Sequence, residues 1–182
     1  MAAPRRADAR RNYERLLAAA TEVFGERGAD APLDEIARRA GIGNATMYRH
    51  FPSRSDLLIA VYADEVAALC GGGEALLEAA APGEALFEWL GAFVAHVATK
   101  RQLAQTIAGT EGPRSELFRQ WHESMLQTAE ALVERARRAG AVAAGVTARD
   151  LLTMANGIAL AAADPPQAER LLGLLRGGAQ AR

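Results

Sequence analysis

The chain has 182 residues, of which 50% are hydrophobic and 24% charged, a balance that supports a folded core and excludes an extended disordered polymer. A single cysteine, Cys70, excludes an internal disulfide and a cysteine-rich zinc site, and it fits a reducing cytoplasm. The formal net charge of −1 is unevenly spread: residues 1–54 carry ten arginines against seven acidic residues, and the remainder carries a surplus of acids. The basic end is where a polyanion would dock. No run approaches the ~18 apolar residues of a membrane span, and the arginine-bearing start lacks the apolar stretch of a secretion signal.

Apolar spacing of three and four predicts an all-α chain of eight or nine helices with no alternating strand pattern. The first, over about 9–27, carries Tyr13, Leu16, Leu17, Ala20, Val23 and Phe24 on one stripe and stops at Gly28. A second, over about 33–40, enters through Pro32 and closes at Gly41. A third, over about 44–50, is expected to be capped by Asn44. A fourth starts after Pro52 with Ser53 as its cap and runs to about Cys70, where Gly71-Gly72-Gly73 ends or kinks it. Beyond the Pro82-Gly83 break, helices are expected over about 84–100, 102–109, 115–139, 148–163 and 167–176. Thr147 and Asp150 have capping-box spacing, Asp164-Pro165-Pro166 separates the last two helices, and the tail from Gly177 is expected to fray.

The segment from Leu33 to Leu58 carries the chemistry. Two helices crossing at a short turn need a small residue at the crossing and a glycine in the turn, which Ala37 and Gly41 supply. Ile36, Ala40, Ile42, Met47 and Phe51 can seal the corner. Gly43, Asn44, Ala45, Thr46, Tyr48, Arg49 and His50 are then left facing outward. Small residues permit close approach to a groove, and amide, hydroxyl, phenol and imidazole groups are those that contact phosphates and base edges. A solvated helix hairpin with no ligand is the competing reading of that spacing.

Residues 10–62 resemble the N-terminal domain of the TetR family of transcriptional regulators. The resemblance runs through Leu16, Ala19, Ala20, Phe24 and Gly28, then I-A-x-x-A-G at Ile36–Gly41, T-x-Y-x-H-F at Thr46–Phe51, and the Pro-Ser-basic-x-x-L-L segment at Pro52–Leu58. It implies a helix-turn-helix DNA-binding domain over residues 1–54 with an arginine-rich arm, and a helical ligand-binding and dimerisation domain over 55–182. It also implies that the third helix enters the major groove with Gly43, Asn44, Ala45 and Thr46 leading. Tyr48 and His50 would then bond phosphates, Arg49 would reach bases or phosphate, and Arg54 would meet the DNA backbone. Arg5, Arg6, Arg10 and Arg11 would add salt-sensitive attraction. Three positions depart from the family's habit: Ala31-Pro32 replaces a hydroxyl residue opening the second helix, Gly43 replaces a common serine, and Arg54 replaces a lysine.

For the distal two thirds the resemblance implies a ligand cavity and a homodimer built on the last two helices. Trp89, Phe93, His96, Thr106, Trp121, Met125 and Asn156 are the pocket candidates, and Leu151, Leu152, Ala155, Ile158, Leu171, Leu172 and Leu175 the dimer candidates. His96 and His122 lack helical histidine partners, so no metal and no cofactor is expected. No phosphate loop, nucleophile elbow or paired carboxylate stands out, which argues against an enzyme. The expected function is a cytoplasmic, homodimeric regulator of a double-stranded DNA operator, a repressor released by a small-molecule effector, with no membrane partner. The alternative is an all-helical oligomerisation scaffold, which would not need the third helix's outward face.

Overall fold

Eight helices and no strand make up the regular structure among the described residues. They are α1 (Ala3–Arg27), α2 (Leu33–Arg39), α3 (Asn44–His50), α4 (Arg54–Leu76), α5 (Pro82–Ala108), α6 (Pro113–Arg138), α7 (Ala148–Ala161) and α8 (Pro165–Ala179). The structure, a computed structural model, describes the backbone of residues 3–108 and 113–180 and the side chains of 7–98 and 116–180. Its contacts divide into two compact units, Met1–Asp64 with Gln102–Thr110, and Glu65–Arg101 with Glu111–Arg182.

In the first unit α1 packs on α2, and Leu16, Ala20 and Val23 of α1, Ile36 and Ala37 of α2, Met47 of α3 and Leu57, Leu58 and Val61 of α4 are all fully buried. Each such large side chain contributes roughly 1.5–3 kcal/mol by leaving water. A seven-residue helix has no stability of its own, so Met47 and Phe51 anchor α3 from below. Helix α4 opens on a reciprocal cap: Ser53 Oγ accepts from the Asp56 amide at 3.2 Å, and Asp56 accepts from the Ser53 amide at 3.0 Å.

The second unit has a core of Leu86, Trp89, Leu90, Trp121, Met125, Leu132, Val133, Leu151 and Ala155. Helix α6 closes on Gly140, at φ +69°, with the Ala141 amide donating to Ala136 O and the Gly140 amide to Arg137 O, both at 2.9 Å. Helix α7 has the expected Thr147–Asp150 capping box.

Five elements differ from expectation. Helix α1 begins at Ala3 rather than near residue 9, so Arg10 and Arg11 lie on the helix and not on a disordered arm; no proline or glycine between Arg5 and Tyr13 interrupts the helical run. Helix α4 runs through Gly71-Gly72-Gly73 to Leu76, because Gly73 is buried against Trp89 and Thr128 and tertiary packing outweighs glycine's poor propensity. Helix α5 continues without a break to Ala108, there being no glycine or proline near residues 100–102, the place of the expected break, to stop it. Helix α8 continues through Gly177-Gly178, since the carbonyl of buried Ala179 accepts from the Ala143 amide at 2.9 Å. Asn44 is the first residue of α3 rather than its cap; Gly43 holds the cap position, with no side-chain bond.

Candidate nucleic-acid interface

The turn between α2 and α3 is built from backbone hydrogen bonds. Ala40 leaves α2, Gly41 takes φ +63°, the Gly41 amide donates to Arg38 O at 3.0 Å and the Ile42 amide to Ala37 O at 2.9 Å. This six-to-one and five-to-two pairing satisfies the last carbonyls of α2 and turns the chain sharply. An L-residue at Gly41 would be strained, and its Cβ would stand 2.6 Å from Arg15 Nη2. Arg15 itself reaches the Gly41 carbonyl at 3.4 Å, a contact 26 residues apart that no local sequence signal announces.

This turn presents the outer face of α3. Gly43, Asn44, Ala45, Tyr48 and Arg49 are exposed, and Thr46 and His50 are half-buried. Tyr48 is 46% exposed, a large aromatic left in solvent by a domain that buries its neighbours Met47 and Phe51. Arg49 Nη2 donates to Thr46 Oγ1 at 2.8 Å, and Asn44 Nδ2 donates to Asp34 Oδ1 at 3.1 Å, so both side chains are held in place before any ligand arrives. Asp34 was not singled out from sequence, since its ten-residue separation from Asn44 carries no periodic signal. The His50 ring packs beside Tyr13 and Phe51, with centroids 6.3 and 6.4 Å away.

Arg54 lies half-buried at the start of α4, its Nη1 donating to Ala29 O at 2.8 Å and to Ala31 O at 2.5 Å. Other arginines of this unit pair with acids. Arg39 forks onto Glu26 at 2.7 and 2.9 Å and approaches Glu35 at 3.5 Å, while Arg27 reaches Glu35 at 2.6 Å. The Arg39 hydrogen bond holds the Glu26 carboxyl below its ordinary value and raises the Arg39 guanidinium in return. Arg10 pairs with Glu14, and Arg11 with Asp8. The side chains of Arg5 and Arg6 lie outside the described residues.

In the second unit Trp89, Phe93, Trp121 and Met125 are buried and His96 is half-buried. Trp89 stacks on Phe93 at 5.9 Å and donates its indole N–H to Leu69 O at 2.9 Å. Asn156 is exposed, because Leu151, Ala155 and Ile158 take the inward face of α7 and helical periodicity turns Asn156 away from them. The Thr106 side chain lies outside the described residues. Of the dimer candidates, Leu151, Ala155 and Ile158 are buried within the chain, whereas Leu152, Leu171, Leu172 and Leu175 are partly exposed. The outermost apolar side chains of the two helices are Met154, Leu160 and Leu174, at 54%, 45% and 72% exposure; of these Met154 and Leu160 were missed from sequence. Among the described residues no helix is long and apolar enough to cross a membrane.

Two helices joined by a glycine turn, the second rigidly seated with its polar face outward, define a helix-turn-helix nucleic-acid reader. Residues 16–61 match the family model for bacterial regulatory proteins of the tetR family, and residues 81–181 match that for the C-terminal domain of SbtR-like transcriptional regulators. A TetR transcriptional regulator from Streptomyces coelicolor is similar, with a TM-score of 0.80, 35% identity and coverage of 92% of this chain and 98% of that one. A TetR transcription regulatory protein from Mycobacterium vanbaalenii is similar at a TM-score of 0.79, 33% identity and coverage of 97% and 99%. The HTH-type transcriptional activator FasR of Mycolicibacterium smegmatis is 47% identical over 58 residues, which make up 31% of this chain but only 26% of FasR. The chain belongs to the TetR family of transcriptional regulators, with a DNA-binding domain at its N-terminal end.

Proposed function

We propose that the protein is a homodimeric repressor that sets α3 of each subunit into the major groove of an operator and is released by a small-molecule effector. The observation that carries this reading is the outward face of α3: exposed Tyr48, with Asn44 and Arg49 held by Asp34 and Thr46, on a helix seated by buried Met47 and Phe51. Asn44, Ala45 and Thr46 would meet base edges behind the small Gly43, Tyr48 and His50 would bond phosphates, and Arg49 would reach either.

Exposed Met154 and Leu160 on α7 and Leu174 on α8 support a partner contact through the outer faces of these helices. A two-fold dimer would place its reading helices on half-sites one helical turn apart, or a multiple of that. An effector would bind in the second unit, and its effect would reach the reader along α4, which begins in the first unit and ends in the second. The chemistry proposed is binding alone, with no enzymatic step.

The test is fluorescence anisotropy of labelled DNA from upstream of the protein's own gene, against scrambled DNA, at two salt concentrations. Sequence-dependent binding that weakens with salt and falls on the order of ten-fold in Tyr48→Ala is the expected result. Failure to prefer any duplex across a genomic selection would leave the scaffold reading instead. A promoter–reporter fusion in a strain lacking the gene gives the sign of regulation: expression should rise for a repressor.

A further inference from the structure

We propose that Arg54 is a positioning residue: its guanidinium latches α4 to the α1–α2 connection and thereby fixes the seat of the reading helices. One nitrogen, Nη1, donates both its hydrogens inward, to Ala29 O at 2.8 Å and Ala31 O at 2.5 Å. Ala31 is 3% exposed, so its carbonyl has little access to water and needs a protein donor.

The connection it grips is otherwise lightly held. Gly28 turns it at φ +80°, the Ala31 amide bonds Gly28 O at 3.2 Å, and α2 then opens at Pro32 with no side-chain cap. A hydroxyl residue at that cap would tie down the first turn of α2; here a cation 23 residues further along supplies the polar tie from outside. Helix α2 carries α3 through the glycine turn at Gly41, so a shift of the first turn of α4 is transmitted to α2 and on to α3. The planar guanidinium fixes the directions of both N–H bonds on Nη1. A lysine ammonium, one bond shorter and free to rotate, holds the two carbonyls less well. The presence of arginine at this position is thereby explained by the fold itself rather than by attraction to phosphate.

The inference rests on the DNA-binding reading for one of its two measurements, and the other is made on the free protein. Hydrogen exchange of the whole chain should show the amides of the 28–36 segment exchanging at least roughly ten-fold faster in Arg54→Met, the loss expected when the charge-assisted hydrogen bonds to two carbonyls are removed. Arg54→Lys, which keeps the charge and so guards against a variant that fails to fold, should lie between the two. In DNA titrations, Arg54→Met should bind more weakly with the same dependence of affinity on salt as wild type. A phosphate contact would behave otherwise: the slope of log affinity against log salt would fall by about one, and Arg54→Lys would restore it. That pattern, or unchanged exchange over 28–36, overturns the proposal. If the wild-type protein shows no preference for any DNA, the proposed function fails while the exchange experiment still decides the latch.

Discussion

Replacing Gly73 by alanine should destabilise the protein, although alanine is favoured over glycine inside a helix by about 1 kcal/mol. Gly73 is buried within α4, and a Cβ there would overlap Thr128 Cγ2 and stand 2.8 Å from Trp89 Nε1 and 3.0 Å from its Cδ1. Neither neighbour can step aside cheaply. The threonine hydroxyl donates to Ser124 O at 3.0 Å, and its branched Cβ restricts rotation. The indole is 1% exposed and donates to Leu69 O at 2.9 Å. Overpacking of this kind costs roughly 1–3 kcal/mol, and loosening the indole hydrogen bond adds about 0.5–1.5 kcal/mol. After the helix gain is subtracted, the net loss is ~1–3 kcal/mol.

Its two neighbours provide the internal control. A Cβ at Gly71 or Gly72 meets nothing within 4 Å, so Gly71→Ala and Gly72→Ala should each stabilise by up to about 1 kcal/mol. Urea unfolding followed by tryptophan fluorescence, at one protein concentration so that any self-association contributes equally to each, measures all three. Thr128→Ser removes the obstructing methyl while keeping the hydroxyl, and should reduce the Gly73→Ala penalty. If Gly73→Ala proves as stable as Gly71→Ala, the close packing of α4 on Trp89 is wrong, and with it the reason given for the helix crossing three glycines.

Met47→Ala should cost about 2–4 kcal/mol, since this fully buried side chain seats α3; a urea midpoint within error of wild type would refute that role. Arg39→Gln should make stability less dependent on acid. Glu26 has its carboxyl held below the ordinary 4.5 by Arg39. Its contribution is therefore complete above that pH and is lost as pH falls through the lowered value. The gap in melting temperature between wild type and variant should be constant above about pH 5 and close below it; a gap that widens on acidification would contradict the pairing. If the proposed dimer forms through α7 and α8, Leu174→Glu, at the most exposed apolar position of α8, should convert it to monomer in sedimentation at micromolar concentration without changing helix content. An unchanged dimer would move the interface elsewhere.

Legibility in the sequence followed the range of the forces involved. The reader's three helices begin and end where glycine and proline act on their own neighbours: Gly28, Pro32, Gly41 and Pro52 are local devices, and so is the Thr147–Asp150 box. Where an element's limit depended on distant packing the sequence was silent. Gly71–Gly73 reads as a break until Trp89 and Thr128 are placed beside it, and Gly177-Gly178 reads as a frayed end until Ala143 is found bonding Ala179. On α7, apolar residues mark both the buried face, through Leu151, Ala155 and Ile158, and the exposed one, through Met154 and Leu160. Composition cannot tell these faces apart, which is why the outermost side chains were missed.

The basic surplus of residues 1–54 invites a reading as DNA attraction, but the structure divides those arginines by task. Arg10, Arg11, Arg27 and Arg39 pair with carboxylates of their own unit, and Arg15 and Arg54 donate to backbone carbonyls. Arg49, on the reading helix, is held by a neutral hydroxyl instead. A guanidinium already matched by a carboxylate releases few counterions on meeting phosphate, whereas one held by a hydroxyl brings its full charge. The salt dependence of operator binding should therefore follow Arg49 far more than Arg39. Arg49→Gln should lower the slope by about one per subunit engaged, and Arg39→Gln should leave it nearly unchanged. Equal changes in the two slopes would mean that the internal ion pairs open when DNA binds, and that the total arginine count, rather than its partition, governs attraction.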